Sequence, residues 1–262
     1  MLSIGSWITV LALHDYNLST GRKVLVRHVK KEKHAICFEI QDAMKRTGCP
    51  ICSILRDLEE DTIKYMLYSQ VNDPAVRKKL RQSLGLCPYH AWLLADIVRG
   101  NPEIDLLGPS IIYEDMLRTY LEEGENRNGE CFLCAKTKEF ERIYIEEMAS
   151  CIEIDPTILD EYSKSRSTLC RRHYEMLLSH LDGVLRAKLE EIQRGKLERI
   201  IHNLSEYIRK QDYRVKEPPT YDEARAWLDA IIFLKGERIS TNIYSREGMG
   251  EKHKRRKHLF SF

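Results

Sequence analysis

From Ile36 onward, apolar residues recur at three- and four-residue steps, the period of a helix with one buried face. After Cys52, the residues Leu55, Leu58, Thr62, Tyr65 and Met66 fall on one face, with Arg56, Glu59, Glu60 and Asp61 opposite or flanking. After Cys134, Phe140, Ile143, Tyr144 and Met148 repeat that arrangement. Asp73-Pro74 and Asp155-Pro156 read as helix starts, with the aspartate as cap and the proline in the first turn. A long amphipathic segment follows from about Tyr174 to Ile208. Thr220-Tyr221-Asp222-Glu223 fits a capping box opening a last helix through Trp227, Leu228, Ile231, Ile232 and Leu234, which Gly236 ends. These patterns predict an all-α protein.

The first thirty residues read differently. Ile4 to Leu13 is an apolar run of signal-peptide core length, but no basic residue precedes it, and His14, Asp15 and Tyr16 stand where small cleavage-site residues belong. It reads as a weak strand or helix, or as sequence upstream of the true start, with Met44 a candidate internal start. No stretch approaches the ~18 consecutive apolar residues of a membrane span.

Six of the eight cysteines form two copies of one pattern. The first is Cys49-Pro50-Ile51-Cys52, then 34 residues, then Cys87-Pro88-Tyr89-His90; the second is Cys131-Phe132-Leu133-Cys134, then 35 residues, then Cys170-Arg171-Arg172-His173. Each copy places its Asp-Pro pair with the aspartate 21 positions after the second cysteine, which points to duplication. Three thiolates and one imidazole are a common tetrahedral zinc set. The expectation is two Zn²⁺ per chain, each closed within its own repeat by a helical hairpin that returns the second half-motif to the first. A helix N-terminus beside Cys52 or Cys134 would help hold thiolate. His90 and His173 would bind through one ring nitrogen while the other finds an acceptor.

Other chemistries use the same residues. Disulfides could link such cysteines, but matched Cys-x-x-Cys and Cys-x-x-His pairs favour a metal in an intracellular chain, here expected in the cytoplasm. A thioredoxin-type redox pair would need a βαβ setting that the helical pattern does not offer. Covalent haem needs histidine directly after the second cysteine, where Ser53 and Ala135 stand. An iron–sulfur cluster has overlapping ligands and stays open as an alternative. Catalytic zinc usually keeps three protein ligands and an open position, whereas each set here has four. No other catalytic motif is present, so the metals read as structural and the chain as leaning away from enzymes. Of the leftover residues, Cys151 reads as a small buried hydrophobe, with Cys37 outside the repeats. His180 and His202 read as isolated helix residues, and Ile208 to Arg214 as a local polar cluster.

Overall charge names no partner, since the 42 Lys+Arg and 40 Asp+Glu nearly balance. Its distribution says more. Residues 1–33 hold a balance of +4 and residues 252–262 of +5, leaving residues 34–251 at −7. A nucleic-acid contact could run through Lys252–His258, although a solvated basic end is the plainer reading. With 13 glycines and 8 prolines in 262 residues, a turn-dense β fold starts behind a helical one.

The stretch from Cys49-Pro50-Ile51-Cys52 through Leu58-Glu59-Glu60-Asp61 and Asp73-Pro74-Ala75-Val76-Arg77 resembles an uncharacterised bacterial and archaeal family, catalogued only as a domain of unknown function. The resemblance continues through Gly85-Leu86-Cys87, the second Cys-x-x-Cys and Leu169 to His173. It ends with Asp212-Tyr213-Arg214 and the Ala226-Trp227 to Gly236 helix, covering about residues 45–236. It implies the repeat and the all-α fold without a reaction, and it draws attention to Asp212, Tyr213 and Arg214. The expected organisation is an N-terminal extension at 1–35, zinc repeats at 36–110 and 111–190, C-terminal helices at 191–236 and a basic tail at 237–262. The role expected is a scaffold or adaptor for a protein partner, with a redox protein and a nucleic-acid binder as alternatives.

Overall fold

The computed structural model describes residues 35–124 and 129–243. The apolar run at residues 4–13 and the basic stretch at 252–258 lie outside the described residues. A first helix, α1, spans residues 35–44. It is followed by α2 (Pro50–Tyr65), which continues as a π-helical turn over Met66–Gln70, then α3 (Pro74–Gln82), α4 (Pro88–Gly100) and α5 (Leu107–Glu123). The second copy supplies α6 (Phe132–Ile154), α7 (Thr157–Lys164) and α8 (Arg171–Leu178). The chain closes with α9 (Gly183–Lys210), α10 (Tyr221–Lys235) and the single turn α11 (Ser240–Ile243). The fold is all-α: the described residues hold no strand beyond one isolated bridge between Gly48 and Ser167.

Local signals set the helix boundaries. Asp73 caps α3 by accepting from the backbone N–H groups of Ala75 and Val76 at 2.7 and 3.2 Å. The second Asp-Pro pair sits one residue earlier than expected: Pro156 is the N-cap of α7, and Asp155, just before it, accepts from the Thr157 N–H and the Thr157 hydroxyl at 3.0 and 2.6 Å. Thr220 and Glu223 form the expected capping box at α10, and Gly236, at φ +74°, ends that helix. The segment from Tyr174 to Ile208 is not one helix. It breaks after Leu178, because the chain turns through residues 179–182 and restarts at Gly183, whose φ of +52° suits glycine.

Two apolar cores lie along the molecule. The first gathers Ile40, Met44, Ile51, Leu55, Ile145, Met148, Ile152, Tyr162, Leu177 and Leu189. The second gathers Ile63, Met66, Leu80, Leu94, Ile112, Met116 and Leu133. Helix α2 begins in the first core and ends in the second, whereas α6 begins in the second and ends in the first. The two pack against each other and run in opposite senses between the cores. That crossing decides which half-motifs can meet.

The buried face of α2 differs from the expected one. Tyr65 is 42% exposed, while Glu59, expected on the polar side, is 2% exposed. The chain after Gly236 is packed rather than free, with Ile239, Ser240 and Thr241 buried. Glu237 accepts from the Cys49 backbone N–H at 3.0 Å and pairs with Arg56 at 2.6 Å. Cys151 is buried as expected, but its sulfur is bonded to Cys37, tying α1 to α6 with the Cα atoms 5.9 Å apart. The reading of it as a plain small hydrophobe is corrected on that point.

Candidate metal centres

Each half-motif opens a helix in the same way. Cys49, Cys87, Cys131 and Cys170 are the N-cap residues of α2, α4, α6 and α8. Cys52, His90, Cys134 and His173 therefore stand at the third helical position, one turn inside. A cap and a third position face the same side, toward the free N–H groups of the helix start. Each pair thus projects two donors beside the positive end of a helix dipole, where negative charge is favoured.

The pairs combine across the copies. Cys49, Cys52, Cys170 and His173 form one group, and Cys87, His90, Cys131 and Cys134 the other, with the donor atoms of each group within 4.8 Å of one another. The expected closure of each site within its own repeat is therefore corrected: the Cys-x-x-Cys of one copy meets the Cys-x-x-His of the other. The antiparallel crossing of α2 and α6 is the reason. It carries the start of α2 to the end of the molecule where α8 begins, and the start of α6 to the end where α4 begins. Backbone contacts hold the joints, with Thr168 N donating to Gly48 O at 2.9 Å and Gly129 N to Gln82 O at 3.1 Å.

Distances within the groups match a tetrahedral ion. With Zn–S near 2.3 Å and Zn–N near 2.0–2.1 Å, ligand atoms of a tetrahedron lie about 3.6 Å apart for S···N and about 3.8 Å for S···S. In the first group His173 Nδ1 lies 3.3, 3.4 and 3.3 Å from the sulfurs of Cys49, Cys52 and Cys170, and the Cys52 and Cys170 sulfurs are 3.8 Å apart. In the second, His90 Nδ1 lies 3.3, 3.6 and 3.5 Å from Cys87, Cys131 and Cys134, with Cys87 and Cys134 3.5 Å apart.

The thiols also need a cation in order to ionise together. In the first group, hydrogen bonding from Cys49 and Cys52 brings Cys170 down to about 4, while burial and the neighbouring sulfurs push Cys49 well up. In the second group Cys131 is lowered by its hydrogen bonds from Cys134 and Cys87, and Cys134 is raised by Cys131 and Cys87. A divalent ion among them removes that conflict, because each thiolate then has an opposite charge at bonding distance. Both groups could hold a metal ion.

Behind each histidine stands a carboxylate that the sequence reading missed. His173 Nε2 lies 2.9 Å from Glu141 Oε1, and Arg172 binds both oxygens of Glu141 at 2.8 and 2.7 Å. Burial pushes the Glu141 carboxyl up, but these two partners outweigh it and hold it at about 2. At the other group His90 Nε2 lies 3.4 Å from Glu59 Oε1, near the carboxylate but without a hydrogen bond to it. Tyr89 donates to Glu59 at 3.0 Å, and Ser240 donates its N–H and hydroxyl at 2.9 and 2.6 Å. A carboxylate on Nε2–H leaves Nδ1 as the lone-pair donor, so the ring is oriented for a metal through Nδ1. The signal was present in the spacing: Glu59 and Glu141 each stand seven positions after the second cysteine of their copy, and Tyr89 and Arg172 each precede the histidine.

Asp212, Tyr213 and Arg214 lie on the turn after α9. Asp212 and Arg214 pair with each other at 2.5 Å, and Tyr213 is 92% exposed with the Arg214 guanidinium beside its ring. No described helix is long and apolar enough to cross a membrane.

No curated protein and no solved structure matches the chain. A family model, described as a family of unknown function (DUF6062), matches residues 31–103 and 109–241, which take in both copies of the motif and the C-terminal helices. The chain belongs to that family.

Proposed function

We propose that this protein is a helical scaffold whose fold is locked by two structural Zn²⁺ ions, one held by Cys49, Cys52, Cys170 and His173 and the other by Cys87, His90, Cys131 and Cys134. The observation that supports it is the interleaving of two buried four-donor sets. Four protein donors leave no open coordination position of the kind catalytic zinc uses. A structural zinc supplies about 10–16 kcal/mol of apparent binding energy in small peptides, against about 5–15 kcal/mol net stability for a domain. Each ion here bridges the two copies, so its loss loosens both. The ion's own contribution is to gather thiolates; the chain orients the His173 ring through Glu141 and places Glu59 beside His90.

The biological role fitting such an arrangement is presentation of rigid helical faces to a protein partner, in the cytoplasm, where thiolates are kept reduced. Elemental analysis of the full chain purified without added metal tests the proposal, with two zinc equivalents expected per chain. Iron with acid-labile sulfide, or a metal-free protein that keeps its helix content and cooperative unfolding, would overturn it.

A further inference from the structure

The two centres differ in how tightly they are closed, and the inference below rests on the two-zinc reading above. In the first group Cys49, Cys52, Cys170 and His173 are all 0% exposed, and the histidine's carboxylate is clamped by Arg172. In the second, Cys131 and Cys134 keep 7% and 8% exposure, Cys87 is only half-buried, and the histidine–carboxylate contact is longer. A cleft of about 630 Å³ opens on the first turn of α4, although none of the four donors lines it. Pro88 and Tyr89, which separate Cys87 from His90, line it together with Trp92, Arg56 and Arg238. Partial exposure of the second group is greatest at Cys87, whereas the four donors of the first group are closed off from solvent.

We propose that Cys87 is a modification site, the point at which a two-electron oxidant of the hydroperoxide class attacks the second metal centre. The Cys87 thiolate sulfur attacks one peroxide oxygen, the O–O bond breaks, and the leaving oxygen takes a proton from water, giving an alcohol or water. Cys87 becomes a sulfenic acid and its bond to the metal is lost. The Cys134 sulfur, 3.5 Å away, then attacks the Cys87 sulfur and displaces hydroxide, which is protonated to water. Two thiolates lose one electron each, the hydroperoxide accepts both with two protons, and one disulfide, one alcohol and one water result. Closing 3.5 Å to the ~2.05 Å of a disulfide needs a small movement at a helix start. Only Cys131 and His90 remain as donors, and the ion leaves. The first centre stays loaded, so oxidation opens one joint between the copies and keeps the other.

The test uses the full chain carrying two zinc equivalents, treated with graded hydrogen peroxide. A chromophoric chelator reads zinc release, and peptide mapping under non-reducing conditions reads the bonds formed. One zinc of the two is expected to leave in step with a Cys87–Cys134 bond, while the second stays bound for at least tenfold longer. Because Cys87→Ser can lose its zinc outright, wild-type protein is also labelled with limiting maleimide, with Cys87 expected as the first cysteine modified. Release of both ions together, a first bond between Cys131 and Cys134, or first labelling at Cys49, Cys52 or Cys170 would overturn the proposal. Protein that carries no zinc before oxidant is added overturns the two-centre reading itself. The Cys37–Cys151 bond serves as the internal reference in every map.

Discussion

Tyr162→Phe removes one oxygen from a buried polar network beside the first candidate metal centre. The Tyr162 side chain is 0% exposed, and its hydroxyl donates to Gln193 Oε1 at 2.6 Å while accepting from the Leu169 N–H at 2.8 Å. Gln193 in turn donates to Leu169 O at 3.0 Å, so both backbone groups of the residue before Cys170 depend on this pair. Phenylalanine fills the same space, so the loss is of hydrogen bonds rather than packing. It leaves one buried donor and one buried acceptor without partners, at about 1–3 kcal/mol each, for a total of about 2–6 kcal/mol. Burial pushes the phenol far above its ordinary value, so the network is neutral throughout the physiological range. Urea unfolding of zinc-loaded protein at pH 7 gives the stability, and chelator-driven zinc release reads the effect on the Cys170 loop. The first centre should release its ion faster and the second at an unchanged rate. A double-mutant cycle with Gln193→Leu should show coupling of roughly 0.5–3 kcal/mol, as for residues sharing one network. A loss below about 1 kcal/mol, or equal acceleration at both centres, would refute the reasoning.

Two further perturbations test the supports of the same centre. Glu141 titrates at about 2 against an ordinary 4.5, so its stabilisation is complete above pH 4.5 and is lost as pH falls toward 2. That difference corresponds to roughly 3 kcal/mol, so Glu141→Gln should flatten the stability-versus-pH curve across this window in acid unfolding followed by circular dichroism. An unchanged slope would remove Glu141 as its source. Gly48→Ala adds a methyl group at φ +97° and presses it into the Glu237 carboxylate that accepts from the Cys49 N–H. A loss of at least about 1 kcal/mol in urea unfolding is expected, and a neutral substitution would show that the contact of residue 237 with the first centre carries no stability.

The helical class and the eight candidate ligands were legible in the sequence because each rests on a local rule. Cap residues, three- and four-residue periodicity and the matched half-motifs act within a turn or two of themselves. The partnership of the half-motifs was not local. The hairpin expected within each copy is a reasonable closure for one copy alone, but α2 and α6 pack against each other and run oppositely between two cores, and that crossing exchanges the partners. Glu59 was assigned to the polar side because a carboxylate on an amphipathic helix is ordinarily solvated; its burial follows from His90, Tyr89 and Ser240, the last 181 positions away. Glu141 was missed in the same way, although it stands at the spacing from Cys134 that Glu59 keeps from Cys52. The packing of residues 237–241 is set by Glu237 and Ser240 meeting groups on α2, a contact that composition alone presents as a polar tail.

The exchange of partners between the copies is tested most directly by loading the protein with ¹¹³Cd and recording ¹H–¹¹³Cd correlation spectra of the assigned protein. Two cadmium resonances are expected. One should couple to the β protons of Cys49, Cys52 and Cys170 and to the ring of His173, and the other to Cys87, Cys131, Cys134 and His90. A single cadmium coupled to Cys49, Cys52 and Cys87 together, or to Cys131, Cys134 and Cys170 together, would contradict the account.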